Sequence, residues 1–378
     1  ANNSSHICLE FDEVLRSMVK DAENFEDWTT RKDVRIVYTA IYATVFLVGI
    51  VGNGLLISIL LRGRNSVANL FLINLAVSDL LLCITSVPIT PVQAFFKQWY
   101  FGHLLCKMVP FCQAVSVLVS TYCLCFIALD RYTSIVTPTN EPWTIKRSRV
   151  CMSLTWLLAS TFSYPLYYAQ LLQPYHISEE ISICGEFCGE FQWPTGESLK
   201  LFYGTFILFI QFVIPVLIIT FSYWKILQKV RVDWIVEEGS MLTATQQAQT
   251  AVRKRRVMYV LILMVVVFML SWLPITVCNY LRDLGLFDYA QMYFYLLNAN
   301  LVAMLSIVWN PLLYFWLSKR HRRALRDDMF WLTNAKRNPR GGVLARFAPS
   351  PSVSFVYRRT LERHLGAHHF SFRRGTLA

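Results

Sequence analysis

The chain has 378 residues and a formal net charge of +12, with 55% hydrophobic, 15% aromatic and only 16% charged residues. Soluble globular domains usually carry about 25% charged residues. This composition excludes a largely disordered chain and an ordinary cytosolic enzyme, and it indicates a protein with several membrane spans.

The apolar residues concentrate in seven windows, each long enough to cross a bilayer as a helix of about 20 residues. We therefore predict an all-α membrane protein, a bundle of seven transmembrane helices. The sequence shows neither the duplicated halves of many transporters nor paired catalytic groups at membrane depth, so we expect neither transport nor enzymatic activity. The windows are Ile36–Leu61, Val67–Pro91, Leu104–Ile135, Val150–Leu172, Leu201–Tyr223, Val257–Tyr280 and Met292–Leu317.

The distribution of Lys and Arg predicts that the N-terminus is extracellular and the C-terminus cytoplasmic. With this orientation the inner side holds 27 basic and 9 acidic residues, and the outer side holds 9 basic and 15 acidic residues. The resulting charges of +18 inside and −6 outside account for the total of +12. The positive charge therefore gives no indication of a nucleic-acid partner, and the acidic outer face would attract a cationic ligand.

Segments outside the bundle (residues 36–317) have three predicted roles. Residues 1–35 form an extracellular arm with overlapping glycosylation motifs at Asn2 and Asn3. Residues 318–330 alternate basic and apolar side chains, which predicts an amphipathic surface helix in contact with membrane lipid, or else a simple juxtamembrane charge cluster. Residues 331–378 are predicted to be a disordered cytoplasmic tail, whose serines and threonines would bind arrestin once phosphorylated or would simply be solvated.

Three cysteines are expected in the oxidising outer compartment near one another. Cys106 lies at the outer end of the third span, opposite a long outer loop that holds Cys184 and Cys188. We predict a Cys106–Cys188 disulfide, because of the Glu-Phe-Gln-Trp-Pro segment that follows Cys188, with Cys184 as the alternative partner. The remaining loop cysteine would pair with Cys8 in the arm.

Polar residues at membrane depth are costly, so each is a hypothesis about function. Asp79 lies in the middle of the second span, with Ser120, Ser306, Asn310 and Asn53 at comparable depth in other spans. One interpretation is a sodium site with Asp79 and Ser120 among its oxygen ligands. The other is a purely structural hydrogen-bond network. No other cofactor is expected.

Several short motifs occur in order, each in the appropriate span. They are Gly52-Asn53, Leu-Ala-Val-Ser-Asp79-Leu, Cys106, Asp130-Arg131-Tyr132, Trp156, Pro215 with Tyr223 eight residues later, Phe268-x-x-x-Trp272-x-Pro274 and Asn310-Pro311-x-x-Tyr314. Together they resemble the rhodopsin-class G protein-coupled receptors over about Ile36–Phe330. The resemblance implies a heterotrimeric G protein as partner, with a switch at the inner face formed by Asp130, Arg131, Tyr132, Tyr223 and Tyr314.

Two ligand classes within this family are disfavoured by single residues. Met304 stands where an opsin carries its retinal-binding lysine, and Gln113 stands where an amine receptor carries its aspartate. The sixth span gives a positive indication, because Asn279 and Asp283 lie one helical turn apart on the face that carries Trp272. A carboxylate above an amide suits a guanidinium group or an amide terminus.

Four polar residues of the spans resemble those of the neuropeptide Y, neuropeptide F and RFamide receptor family. They are Gln113 in the third span, Gln211 in the fifth, and Asn279 and Asp283 in the sixth. The resemblance implies an amidated peptide ligand whose arginine pairs with Asp283 while the other three bind its terminal region. It also implies coupling to an inhibitory Gi/o protein.

The rest of the expected pocket is less typical. Thr90 is a further candidate contact, Trp272 would lie below the peptide terminus, and Asn300 and Leu296 depart from the usual residues of the family. Another peptide subclass, such as tachykinin-like receptors, remains the alternative.

Overall fold

A computed structural model describes residues 7–11, 27–63, 66–138, 143–176, 181–194, 196–237, 244–286 and 291–317. The predicted glycosylation sites Asn2 and Asn3, the predicted surface helix 318–330 and the tail 331–378 lie outside the described residues.

All seven predicted spans are helical. The first is Lys32–Arg62, the second Val67–Thr85 continued by Ile89–Phe96, the third Gly102–Ile135, the fourth Ile145–Ala169, the fifth Glu197–Leu208, Phe209–Val213 and Ile214–Glu237, the sixth Ala244–Asp283 and the seventh Met292–Leu317.

Most helix ends differ from the predicted windows by a few residues, and three differences have a clear cause. The fourth helix stops at Ala169, three residues early, because the chain turns into an extended strand at Gln170. The fifth and sixth helices continue inward, to Glu237 and from Ala244, into polar sequence that hydropathy does not detect. Among the described helices, six are long and apolar enough to cross a membrane, and the fourth, with 25 residues, is less apolar.

The outward faces of the helices carry large apolar side chains. Leu47, Leu157 and Leu217 are each exposed by more than 60%. So many exposed apolar side chains on several helices indicate a surface that faces lipid.

The inward faces pack around fully buried side chains such as Phe71, Leu118 and Met304. The first and seventh spans approach closely at Gly49, where a Cβ atom would lie 2.8 Å from Cγ2 of Ile307. A larger residue at position 49 would therefore require Ile307 or the two helices to shift.

The fifth span contains one π-helical turn, Phe209–Val213, just before Pro215. The N–H of Ile214 bonds to the carbonyl of Phe209, and Pro215 has no N–H. The carbonyl of Ile210 therefore has no donor within its own helix, and instead it accepts a 3.0 Å hydrogen bond from the Tyr122 hydroxyl of the third span.

A small sheet lies at the outer end of the bundle. Strands β2 (Gln170–His176) and β3 (Ile181–Glu190) form an antiparallel hairpin, and β1 (Ile7–Leu9) of the arm pairs in parallel with β3. Two bonds fix the first outer loop to β3: the N–H of Trp99 to Glu186 and the amide of Gln98 to the carbonyl of Cys184. The arm and two outer loops thus form one unit.

A buried ion pair anchors the end of the arm. Nζ of Lys97 lies 2.7 Å from Oδ2 of Asp27, and the two side chains are only 3% and 4% exposed. Asp27 also caps the short 3-10 helix Trp28–Thr30, where its Oδ1 accepts from the N–H of Thr29. The ring of Trp28 packs edge-on against Phe294 of the seventh span.

Candidate functional site

A cavity of about 370 Å³ opens toward the outer side between the second, third, fifth, sixth and seventh spans. The walls combine apolar and polar side chains, as in typical ligand-binding sites. All seven residues predicted to bind the ligand line this one cavity: Thr90, Gln113, Gln211, Trp272, Asn279, Asp283 and Asn300.

Trp272 lies on the inner side of the cavity and is only 3% exposed. Its indole N–H donates to Oγ of Ser306 at 3.2 Å. A ligand that contacts Trp272 therefore touches a residue that is hydrogen-bonded to Ser306, one of the polar residues predicted at membrane depth.

Three amide side chains are available to a ligand. Within the described part of the chain, Gln113, Gln211 and Asn279 make no side-chain hydrogen bond to protein, although all three line the cavity. The remaining two polar residues use their donors locally, since Thr90 donates to Ser86 and Asn300 to Leu296. The three free amides are the stronger candidates for recognising a polar terminus.

The outer rim of the cavity carries two acidic and two basic side chains. Asp283 pairs with Lys200 at 2.9 Å, and Arg282 lies 3.7 Å from the same oxygen. Glu190 lies 4.0 Å from Arg282 and accepts from the indole of Trp193 at 3.2 Å. Burial raises the pKa of Glu190, while the nearby charges of Arg282 and Lys200 oppose that shift.

The predicted Cys106–Cys188 disulfide is confirmed, with the two Cα atoms 5.6 Å apart. Cys184 is also disulfide-bonded, which excludes it as the partner of Cys106. The pairing of Cys184 with Cys8 stays a prediction, and β1 brings the backbone of Cys8 beside Ser182. The disulfide fixes Cys188 to the third span, and Glu190, two residues after Cys188, lines the cavity.

The polar residues predicted at the centre of the bundle are buried. Asp79 is 1% exposed and accepts a 2.8 Å hydrogen bond from the amide of Asn310. Ser120 shares a 2.7 Å bond with Ser78. Asn53 donates to the carbonyl of Ile307, whereas its buried Oδ1 has no hydrogen-bond partner among the described residues.

At the inner end of the third span, Arg131 pairs with its neighbour Asp130. Its Nε lies 3.1 Å from Oδ2 of Asp130, and Nη2 contacts the same oxygen. The ring of Tyr132 lies 5.9 Å from that of Phe221, and the hydroxyl of Tyr223 is buried without a hydrogen bond to described residues. Tyr314 is half-buried near the inner end of the seventh span.

Sequence reasoning missed Lys200 and Arg282 as parts of the site. Lys200 lies in the first turn of the fifth span, where a basic residue is typical of the charges that flank a membrane span. No spacing rule could predict that its side chain reaches Asp283 on another helix.

Comparison with known proteins gives a consistent result. The profile of the family "7 transmembrane receptor (rhodopsin family)" matches residues 52–314. The chain is 30% identical to "Neuropeptide receptor npr-1" of Caenorhabditis elegans, over 82% of this chain and 78% of that protein. It is 29% identical to "Neuropeptide F receptor" of Drosophila melanogaster (76% and 61%) and 32% identical to "Neuropeptide Y receptor type 2" of Mus musculus (79% and 77%).

Proposed function

The chain belongs to the rhodopsin family of seven-transmembrane receptors, and from this membership we propose that it is a receptor for amidated neuropeptides. Members of the family are multi-pass plasma-membrane receptors and not enzymes. The similar proteins named above are receptors for neuropeptides, two of them for neuropeptide F and neuropeptide Y. The proposed ligand is a peptide of the neuropeptide Y, neuropeptide F, Arg-Phe-amide or Arg-Tyr-amide type.

One observation carries this assignment: the carboxylate of Asp283 at the rim and three amides without hydrogen bonds to the described residues share a single cavity. In the proposed binding mode, Asp283 receives the guanidinium of an arginine near the peptide terminus. The terminal amide, which both donates and accepts, bonds deeper to Gln113, Gln211 and Asn279. Trp272 lies below it.

The first test is Asp283→Asn in cells that report G protein activation. We expect a loss of potency for Arg-Phe-amide and Arg-Tyr-amide peptides of at least about 30-fold, because removing one partner of a desolvated charge pair costs about 2 kcal/mol or more. Free-acid forms of the same peptides should act weakly on the unchanged receptor.

Asp33→Asn is the matched control, because it removes an outer carboxylate whose side chain is 64% exposed and outside the cavity lining. The potency of the arginine-amide peptides on this variant should equal their potency on the unchanged receptor. A receptor at the cell surface that responds to a tachykinin-type peptide and to no arginine amide would overturn the ligand assignment.

The proposed mechanism is a population shift. The peptide binds one arrangement of the helices better than the other, contact with Trp272 biases the fifth and sixth spans, and an inner cavity opens for a G protein. Arg131, Tyr223 and Tyr314 would then form new contacts at the inner face. We place the N-terminus outside, with Asn2 and Asn3 glycosylated, and assign Gi/o coupling, lipid contact of the surface helix and arrestin binding by the tail.

We further propose that Asp79 belongs to a sodium site. The residues fit this ion, because sodium prefers oxygen ligands and Asp79, Ser120 and the unpaired Oδ1 of Asn53 supply them at the buried centre of the bundle. When bound, the ion supplies a positive charge that balances the Asp79 carboxylate. Asn310 donates to Asp79, and Ser306 accepts from Trp272.

A further inference from the structure

Asp283 already has a basic partner from within the receptor. Nζ of Lys200 lies 2.9 Å from its Oδ1, and the two side chains are only 17% and 13% exposed. Both residues line the cavity proposed to bind the peptide. The contact is an ion pair by distance, and Oδ1 accepts no hydrogen bond from the described residues. An arginine of the ligand therefore meets a carboxylate that already has a counter-charge at Oδ1.

The two oxygens of Asp283 have different surroundings. Oδ1 faces Lys200 and, at 3.7 Å, Nη2 of Arg282. Oδ2 faces Gly204, where an added Cβ would lie 4.0 Å from it. Because position 204 has no side chain, none from there covers Oδ2, and this is the oxygen that a ligand cation would use first.

A guanidinium and an ammonium make different demands on such a carboxylate. Guanidinium binds best through two parallel hydrogen bonds, one to each oxygen, whereas an ammonium acts as a point charge that one oxygen satisfies. Full engagement of a ligand arginine thus requires Oδ1, which Lys200 occupies. A ligand lysine requires only Oδ2.

We propose that Lys200 competes with the ligand for Asp283. The ammonium group of Lys200 stays at Oδ1 until a ligand guanidinium displaces it, and this competition sets the affinity of Asp283 for the ligand arginine. The inference rests on the proposed function. It adds a specificity-determining residue on the fifth span that the ligand itself need not touch.

A displaced lysine would need another anion, and Glu190 provides one. Glu190 lines the same cavity and lies close enough for the charge of Lys200 to act on its carboxylate. Movement of Lys200 from Asp283 toward Glu190 keeps every charge at the rim paired.

The test compares Lys200→Met with the unchanged receptor, using two amidated peptides that differ only in arginine or lysine at the position before the terminal residue. We expect Lys200→Met to bind the arginine peptide about fivefold more tightly, the effect of removing one competing pair of about 1 kcal/mol. The lysine peptide should gain less, so the preference for arginine should increase. In an Asp283→Asn background the gain should disappear.

Two controls separate competition from a general charge effect. Lys107→Met removes a positive charge from the outer end of the third span, outside the cavity lining, and should leave both affinities unchanged. Lys200→Arg keeps the charge and the pairing and should show no gain. If Lys200→Met does not reach the cell surface, Lys200→Gln is measured in the same way.

The outcomes are distinguishable. Equal gains for both peptides, or no gain, in a receptor that responds to arginine amides would overturn the inference and leave the proposed function intact. Failure of the unchanged receptor to bind any arginine amide would overturn both, since no guanidinium would then displace Lys200.

Discussion

Glu190 illustrates how a single residue responds to its surroundings at the rim. Burial raises the pKa of its carboxyl above the ordinary value of 4.5, Arg282 and Lys200 lower it, and Asp283 raises it again. The indole N–H of Trp193 also bonds to the carboxylate. The net shift is upward, so Glu190 takes up a proton at a higher pH than an exposed glutamate does.

This shift predicts a pH-dependent affinity for cationic peptides. As the pH falls from 7 to acidic values, protonation of Glu190 removes a negative charge from the rim, and the affinity of an arginine peptide should decrease. Glu190→Gln lacks this proton uptake, so its affinity should be low at both pH values and change less between them. Binding of a labelled arginine-amide peptide at several pH values measures this directly. An equal pH dependence in the two receptors would contradict the assignment to Glu190.

The spans show what sequence can and cannot predict at the scale of an element. Seven helices were predictable because a bilayer requires about 20 apolar residues per crossing. The inward extensions to Glu237 and from Ala244 were not, because beyond the hydrocarbon a helix no longer needs apolar residues. Pro215 indicates a local break in the fifth span but does not predict the π-helical turn or the bond that the Ile210 carbonyl accepts from a hydroxyl of another helix.

The π-helical turn gives a prediction about stability. Tyr122→Phe removes the donor to the Ile210 carbonyl, which has no other donor in its own helix because of Pro215. A buried polar group left unsatisfied costs about 1–3 kcal/mol, so the solubilised receptor should melt at a lower temperature. Tyr164→Phe, at a tyrosine that is 57% exposed, is the control and should melt unchanged. Equal melting temperatures for all three proteins would show that the Tyr122 bond contributes no net stability.

At the scale of the whole molecule, the cavity could be predicted, but the small sheet of β1, β2 and β3 at the outer end of the bundle could not. Asn279 and Asp283 were indicated by their spacing on the face of Trp272, and together with Gln113 and Gln211 they resemble a family pattern. The four converge because each lies at a fixed depth in its span. This sheet depends on contacts between residues that are distant in sequence. Strand β1 pairs with β3, which lies more than 170 residues further along the chain, and hydropathy carries no information about such pairs.

The anchor of the arm gives the last prediction. Lys97→Met leaves the Asp27 carboxylate buried without its cation, a change that costs about 3–5 kcal/mol in buried pairs. The cost falls on the local structure, so the 3-10 helix Trp28–Thr30, which Asp27 caps, should exchange its backbone hydrogens faster. The double variant Lys97→Met with Asp27→Asn removes both charges. Residues 28–30 should then recover much of their protection against hydrogen exchange. Asp33→Asn breaks the exposed pair with Arg31 and should change little. Hydrogen exchange measured by mass spectrometry on all four proteins tests this, and unchanged exchange at 28–30 in Lys97→Met would show that the ion pair does not hold the arm.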